Sequence, residues 1–123
     1  GMKYRHYAPS ADYTIYKGDE VKVAEKIIEL ANEKADEGKI TGIITADQHL
    51  HMYQGRLNKS IKVVSLGDLE KPEIVANHLF KALRDFDKVD TEFIFGEAFS
   101  EKNVGQAIMN RLTKAAGYNI IDV

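Results

Sequence analysis

A three-layer α/β domain with a mostly parallel sheet is what this 123-residue sequence predicts. Two patterns carry that expectation. Short runs rich in β-branched and aromatic residues alternate with amphipathic stretches long enough to serve as crossover helices. One of the runs, Ile40–Ala46, holds no charged residue, as suits a strand covered on both faces.

The elements follow in order. Tyr13–Lys17 (YTIYK) predicts a strand that stops at the turn Gly18-Asp19. Ala24, Ile27, Ile28, Ala31 and Ala35 then recur at helical spacing, with Val23 and Leu30 widening the stripe. Asp19 and Glu20 suit the positive N-terminal end of that helix, and Gly38 its C-terminal stop. After the strand at 40–46, the stretch 47–61 is polar and has no sustained period. It is expected to be a connection with one short helical turn. Lys62–Leu66 (KVVSL) is the next strand. Pro72 fits the first turn of a second helix, whose wide apolar face carries Val75, Leu79, Leu83 and Phe86. Glu92–Phe95 (EFIF) is a strand running into Gly96. Ser100 is placed to cap a last helix carrying Val104, Ala107, Ile108, Leu112 and Ala115 and ending at Gly117. Asn119–Val123 is a final short strand. The sum is a Rossmann-like domain of about five strands with helices on both faces, spanning 13–123, behind an N-terminal arm at 1–12.

Composition narrows the function classes. Hydrophobic residues at 44% and charged residues at 29% are ordinary for a globular chain that buries one core. A net charge of −2 argues against a whole-domain nucleic-acid footprint, and no direct nucleic-acid partner is expected. Cysteine is absent, which removes disulfides, thiolate metal sites and thiol nucleophiles. No apolar stretch approaches a membrane span, and a cytoplasmic protein is expected. Whether it forms a homo-oligomer stays open.

Few motifs point to chemistry. The turn Lys17-Gly18-Asp19-Glu20 has one glycine and two carboxylates where a dinucleotide site needs free backbone N–H groups and no negative charge. Gly38-Lys39-Ile40-Thr41-Gly42 precedes a strand instead of a helix and lacks phosphate-loop spacing. Gly96, Asn103 and Gly105 lie after a strand's C-terminal end, where open α/β sheets bind ligands, although tight turns and close packing explain the glycines equally. His49 and His51, two apart, would face one side of an extended segment with Asp47 nearby, a weak zinc or copper set beside the simpler reading of a solvated loop. His78 sits beside Asn77 on a partly exposed helix face. No catalytic pair or triad can be argued from spacing. The arm is different: Lys3, Tyr4, Arg5, His6 and Tyr7 crowd cations, phenols and an imidazole ahead of Pro9, with no period of their own. Such side chains suit an anionic or stacked partner surface, and a frayed terminus is the alternative.

Three stretches carry a resemblance. GMKYRHYAP resembles the interdomain linker of the long-form threonylcarbamoyl-AMP synthases, in which a YrdC-like catalytic domain is joined to a smaller C-terminal domain. Val75–Arg84 is similar to that family's second-helix segment, and Gly105–Leu112 followed by Lys114-Ala115-Ala116 to its last helix. Asn77 and His78 depart from the family pattern, which has Arg then Asn there. The resemblance implies an accessory, regulatory C-terminal domain of an enzyme that makes threonylcarbamoyl-adenylate and pyrophosphate from L-threonine, bicarbonate and ATP, with Mg2+. That product serves threonylcarbamoyladenosine formation in tRNA. It implies a YrdC-like catalytic domain as direct partner and the tRNA threonylcarbamoyl-transfer machinery as an indirect one. It places Lys3, Tyr4, Arg5, His6 and Tyr7 as linker contacts to the catalytic cleft, and it leaves this chain with no catalytic residues and no cofactor of its own. An autonomous small-molecule or nucleotide-binding module, and an interaction module in tRNA modification, are the competing readings.

Overall fold

The computed structural model describes residues 9–100, 102 and 105–123. Five strands, β1 (Asp12–Lys17), β2 (Thr41–Thr45), β3 (Lys62–Ser65), β4 (Phe93–Glu97) and β5 (Ile120–Asp122), form one sheet in the order β3-β2-β4-β1-β5. Every pairing is parallel. The helices are α1 (Glu20–Asp36), α2 (Pro72–Lys88) and α3 (Gln106–Ala115).

Alternation along the strands sorts the core into two layers. Ile43, Tyr16 and Phe95 meet Val23, Ala24, Ile27, Ile28 and Ala31 of α1 on one face. Ile15, Ile44 and Ile94 meet Val75, Leu79, Leu83 and Phe86 of α2 and Leu112 of α3 on the other. The chain steps from β1 toward β3 under α1, then returns toward β5 under α2 and α3. Reversing direction and changing face together keeps one hand of crossover throughout.

Local chemistry accounts for the helix ends. Asp19 caps α1, its Oδ2 accepting from the Val21 and Lys22 N–H groups at 3.1 Å each. At the other end Gly38, at φ 85°, donates to the Ala35 carbonyl at 2.9 Å, and Lys39 N donates to Lys34 O at 3.0 Å. Pro72 opens α2 as its sequence predicts. The last helix departs from expectation. It begins at Gln106, after Gly105 at φ 84°, and not behind Ser100. The Ser100 hydroxyl accepts from Lys102 N at 3.2 Å, a capping bond to a helical residue ahead of that last helix. Ala107, expected on the apolar face, is exposed; Val104 lies outside the described residues. The stretch after β2 also differs: Asp47–Met52 is a six-residue 3-10 helix.

Two glycines shape the α2/α3 face. A Cβ on Gly42 would overlap the Phe86 ring, and one on Gly96 would lie 2.8 Å from Tyr13 Cε1. Both strands therefore leave a side chain out so that an aromatic ring can lie on the backbone. Gly42→Ala is expected to destabilise the fold by about 1–3 kcal/mol through overpacking. Urea denaturation checks this, and Phe86→Leu in the same chain should recover part of the loss.

Candidate functional site

The cluster with most chemical content lies at the C-terminal edge of the sheet, on the α1 face. Phe93 and Phe95 point inward on β4, and strand alternation carries Glu97 inward after them. Glu97 is only 4% exposed. A buried carboxylate requires donors, and neighbouring elements supply them. From β2, Thr45 Oγ1 donates to Glu97 Oε2 at 2.5 Å. Tyr53, just past the 3-10 helix, donates its hydroxyl to the same oxygen at 2.6 Å. His49 Nδ1 lies 2.5 Å from Oε1. The other ring nitrogen, Nε2, lies 3.1 Å from Oε2 of Glu20 in the first turn of α1.

The electrostatics follow from that arrangement. The hydrogen bond to Glu97 does most to raise the His49 pKa above its ordinary value of 6.5, with Glu20 adding to it and partial burial opposing. Burial, then the charge of Glu97, pushes the Tyr53 phenol well above its ordinary value, so it remains a donor. The dyad is laid out like the carboxylate–imidazole half of a hydrolytic triad, but Nε2 meets a second carboxylate where a nucleophile would stand. Its chemistry is therefore proton holding and charge pairing.

The sequence-predicted site residues fall in several places. Lys3, Tyr4, Arg5, His6, Tyr7 and Asn103 lie outside the described residues. Gly96 is a buried strand residue under the Tyr13 ring, and Gly105 precedes α3. A cleft of about 480 Å³ does open at this strand edge, lined by Lys17, Ser100, Met109, Asn110 and Thr113 among others. His49 and His51 are not on an extended segment. Successive residues of a 3-10 helix turn by about 120°, so positions two apart diverge. His51 is exposed, while His49 turns to Glu97. Asp47 is engaged by the Ser65 hydroxyl at 2.6 Å. The metal trio is thus dismantled, and the described residues contain no group of metal-ligating side chains. A phosphate fits poorly at the α1 N-terminus too, because Asp19 already accepts the Val21 and Lys22 N–H groups. His78 Nδ1 lies 3.1 Å from the Leu66 carbonyl oxygen. No helix among the described residues is long and apolar enough to cross a membrane.

The motif reading did not bring Glu97, Tyr53, Thr45 and Glu20 together, and it used Glu20 only as a carboxylate that suits a helix N-terminus and disfavours a phosphate there. One signal was available: a carboxylate two positions after Phe95 continues the inward face of an apolar strand, and so must find partners. Two measurements test the cluster. Tyr53→Phe is expected to cost about 1–3 kcal/mol of stability, read by urea denaturation. Folding raises the His49 pKa, so its stabilisation is complete below 6.5 and fades as pH rises through the folded value. The stability gap between the wild-type chain and His49→Gln should therefore be wider at about pH 6 than at about pH 9.

Comparison with known proteins gives a consistent set. The family model for the threonylcarbamoyl-AMP synthase C-terminal domain matches residues 1–117. The threonylcarbamoyl-AMP synthase of Pyrococcus abyssi is 43% identical over 123 residues, covering all of this chain and 33% of the relative. That of Bacillus subtilis is 40% identical over 121 residues, covering 98% and 32%. The chain thus spans about one third of the length of these curated relatives. Among solved structures, P. abyssi Sua5 complexed with L-threonine aligns with a TM-score of 0.75 at 43% identity, covering all of this chain and 33% of that one. A variant of P. abyssi Sua5, with an adjacent histidine and tyrosine replaced by alanine, aligns with the same TM-score at 40% identity, covering 94% and 30%. The C-terminal Sua5 domain from Pyrococcus horikoshii aligns at 0.68 and 34% identity, covering 94% of this chain and all of that one.

Proposed function

The chain belongs to the threonylcarbamoyl-AMP synthase C-terminal domain family, and from that premise we propose that it serves as the accessory and regulatory domain of such a synthase. The reaction assigned to the whole enzyme converts L-threonine, bicarbonate and ATP to threonylcarbamoyl-AMP and pyrophosphate, for threonylcarbamoyladenosine formation in cytoplasmic tRNA. ATP, with Mg2+, belongs to a YrdC-like catalytic domain. Residues 1–12 act as the interdomain linker, and Lys3, Tyr4, Arg5, His6 and Tyr7 contact the catalytic cleft. The accessory domain follows, its first strand starting at Asp12, one residue before the boundary of 13 that the sequence suggests.

The observation that carries this reading is the extent of the family match. It starts at residue 1, so the arm is family sequence and not an unrelated tail. The P. abyssi variant supports the choice of residues, since it alters an adjacent histidine and tyrosine. His6-Tyr7 is the one place where those residues are adjacent in this sequence. The physical rationale is exclusion of water. An acyl adenylate is labile, and a segment bearing cationic and aromatic side chains can cover it and add donors to its phosphate. A ligand site of the domain's own is favoured by the cleft beside Lys17 and Asn110, at the strand edge where such sheets bind ligands.

Purified alone, the chain is expected to form no threonylcarbamoyl-adenylate above background in a pyrophosphate-release assay. With the catalytic domain in the same polypeptide, His6→Ala with Tyr7→Ala should lower turnover by about tenfold to a hundredfold. Unchanged turnover would remove the arm from the mechanism. Stabilisation of the isolated chain by ATP, GTP or threonine, read as a thermal shift, would favour a ligand site in this domain instead.

A further inference from the structure

We propose that Glu97, His49 and Glu20 form a pH-operated latch between the 3-10 helix and the first turn of α1. Closed, the doubly protonated imidazole donates from Nδ1 to Glu97 and from Nε2 to Glu20. On loss of one proton, the Glu20 half opens and the Glu97 half stays shut.

The asymmetry comes from burial. The Glu97 side chain is 5% exposed and that of Glu20 is 62% exposed. A buried carboxylate stripped of a donor bears a desolvation penalty that an exposed one escapes into water. The single proton of neutral His49 therefore stays on Nδ1, facing Glu97. Nε2 then presents a lone pair to a Glu20 oxygen 3.1 Å away, acceptor against acceptor. Glu20 rotates into solvent, and the first turn of α1 loses its hydrogen bond to the 3-10 helix, while Arg56 still holds Glu25 farther along α1.

The charged and titratable groups near the imidazole come from every element packed around it. β4 contributes Glu97 and α1 contributes Glu20. β2 contributes the neutral Thr45 hydroxyl, bonded to Glu97. Within the connection itself, Tyr53 is a phenol held protonated, Asp47 is bonded to Ser65, and His51 faces solvent. Two carboxylates around one imidazole favour its charged form, so the latch is shut at mildly acid pH and opens above the ordinary histidine range. The device is local to this chain and independent of which enzyme the domain serves.

Side-chain NMR of the full chain, titrated between about pH 5 and 9, tests it. Neutral His49 should be the Nδ1–H tautomer. The amides of Val21 and Lys22 should shift with the His49 midpoint, and first-turn hydrogen exchange, corrected for intrinsic rate, should quicken about two- to fivefold above it. Glu20→Gln, an exposed change that leaves the buried bonds intact, should lower the His49 midpoint and abolish the step in those amides. An Nε2–H tautomer, first-turn amides that ignore the His49 titration, or a midpoint unmoved by Glu20→Gln would each overturn the proposal.

Discussion

A carboxylate buried at the end of a central strand dictates much of the architecture on one face of this domain. Glu97 continues the inward row of Phe93 and Phe95, so its charge lies where the core would otherwise be apolar. An unpaired buried carboxylate is far costlier than a paired one. Three donors meet that demand, and each belongs to a different part of the cover: Thr45 ends β2, Tyr53 follows the 3-10 helix, and His49 lies within it. The connection is held by both kinds of contact: Met52, Tyr53, Leu57 and Ile61 pack in the α1-side core, and the bonds to Glu97 fix the 3-10 helix on the sheet edge. A feature that costs desolvation thus also orients a segment that apolar packing only partly places.

How much of this was legible in the sequence depends on the range of the interaction concerned. Elements with a local period were readable. The Ala24–Ala35 stripe, the uncharged second strand and the alternation at Tyr13–Tyr16 each state their own burial. Local chain chemistry was readable as well, in the Asp19 cap, the Gly38 stop and Pro72. The 3-10 helix was not, since its period matches neither template and its anchors lie on β4, more than forty residues away. His49 and His51 show the consequence. Treated as extended, they share a side; coiled, they part, and only His49 has a function in the fold. At α3 the failure was of another kind, because the apolar spacing runs on through Val104 while Gly105 adopts a backbone conformation that starts the helix late.

The strand order adds a constraint at the β5 edge. α1 lies over β1, β2 and β4, and β5 is left as an edge strand. Ile120, Ile121 and Val123 are partly exposed there, and Val21 is exposed at the start of α1. An edge strand with apolar side chains is a hazard unless it is short or covered. Here β5 has three residues, and the Val123 N–H is already bonded to the Lys17 carbonyl at 2.8 Å.

The same parallel geometry separates the two regions to which function is assigned. The chain enters the domain at Ser10–Asp12, tied by Ser10 N to Asp87 Oδ1 at 2.9 Å and by Asp12 N to the Glu92 carbonyl at 2.9 Å. In the sheet Asp12 is level with Phe93 and Tyr16 with Glu97. Four residues of strand, about 13 Å, thus lie between the root of the arm and the buried carboxylate. The root also leans on the α2 side, whereas the Glu97 cluster faces α1. Opening the Glu20 half of the latch loosens the first turn of α1 without touching any bond that fixes the root. A change in proton occupancy at His49 therefore acts on the C-terminal edge of the sheet, and the arm keeps its anchorage at the opposite edge in either state.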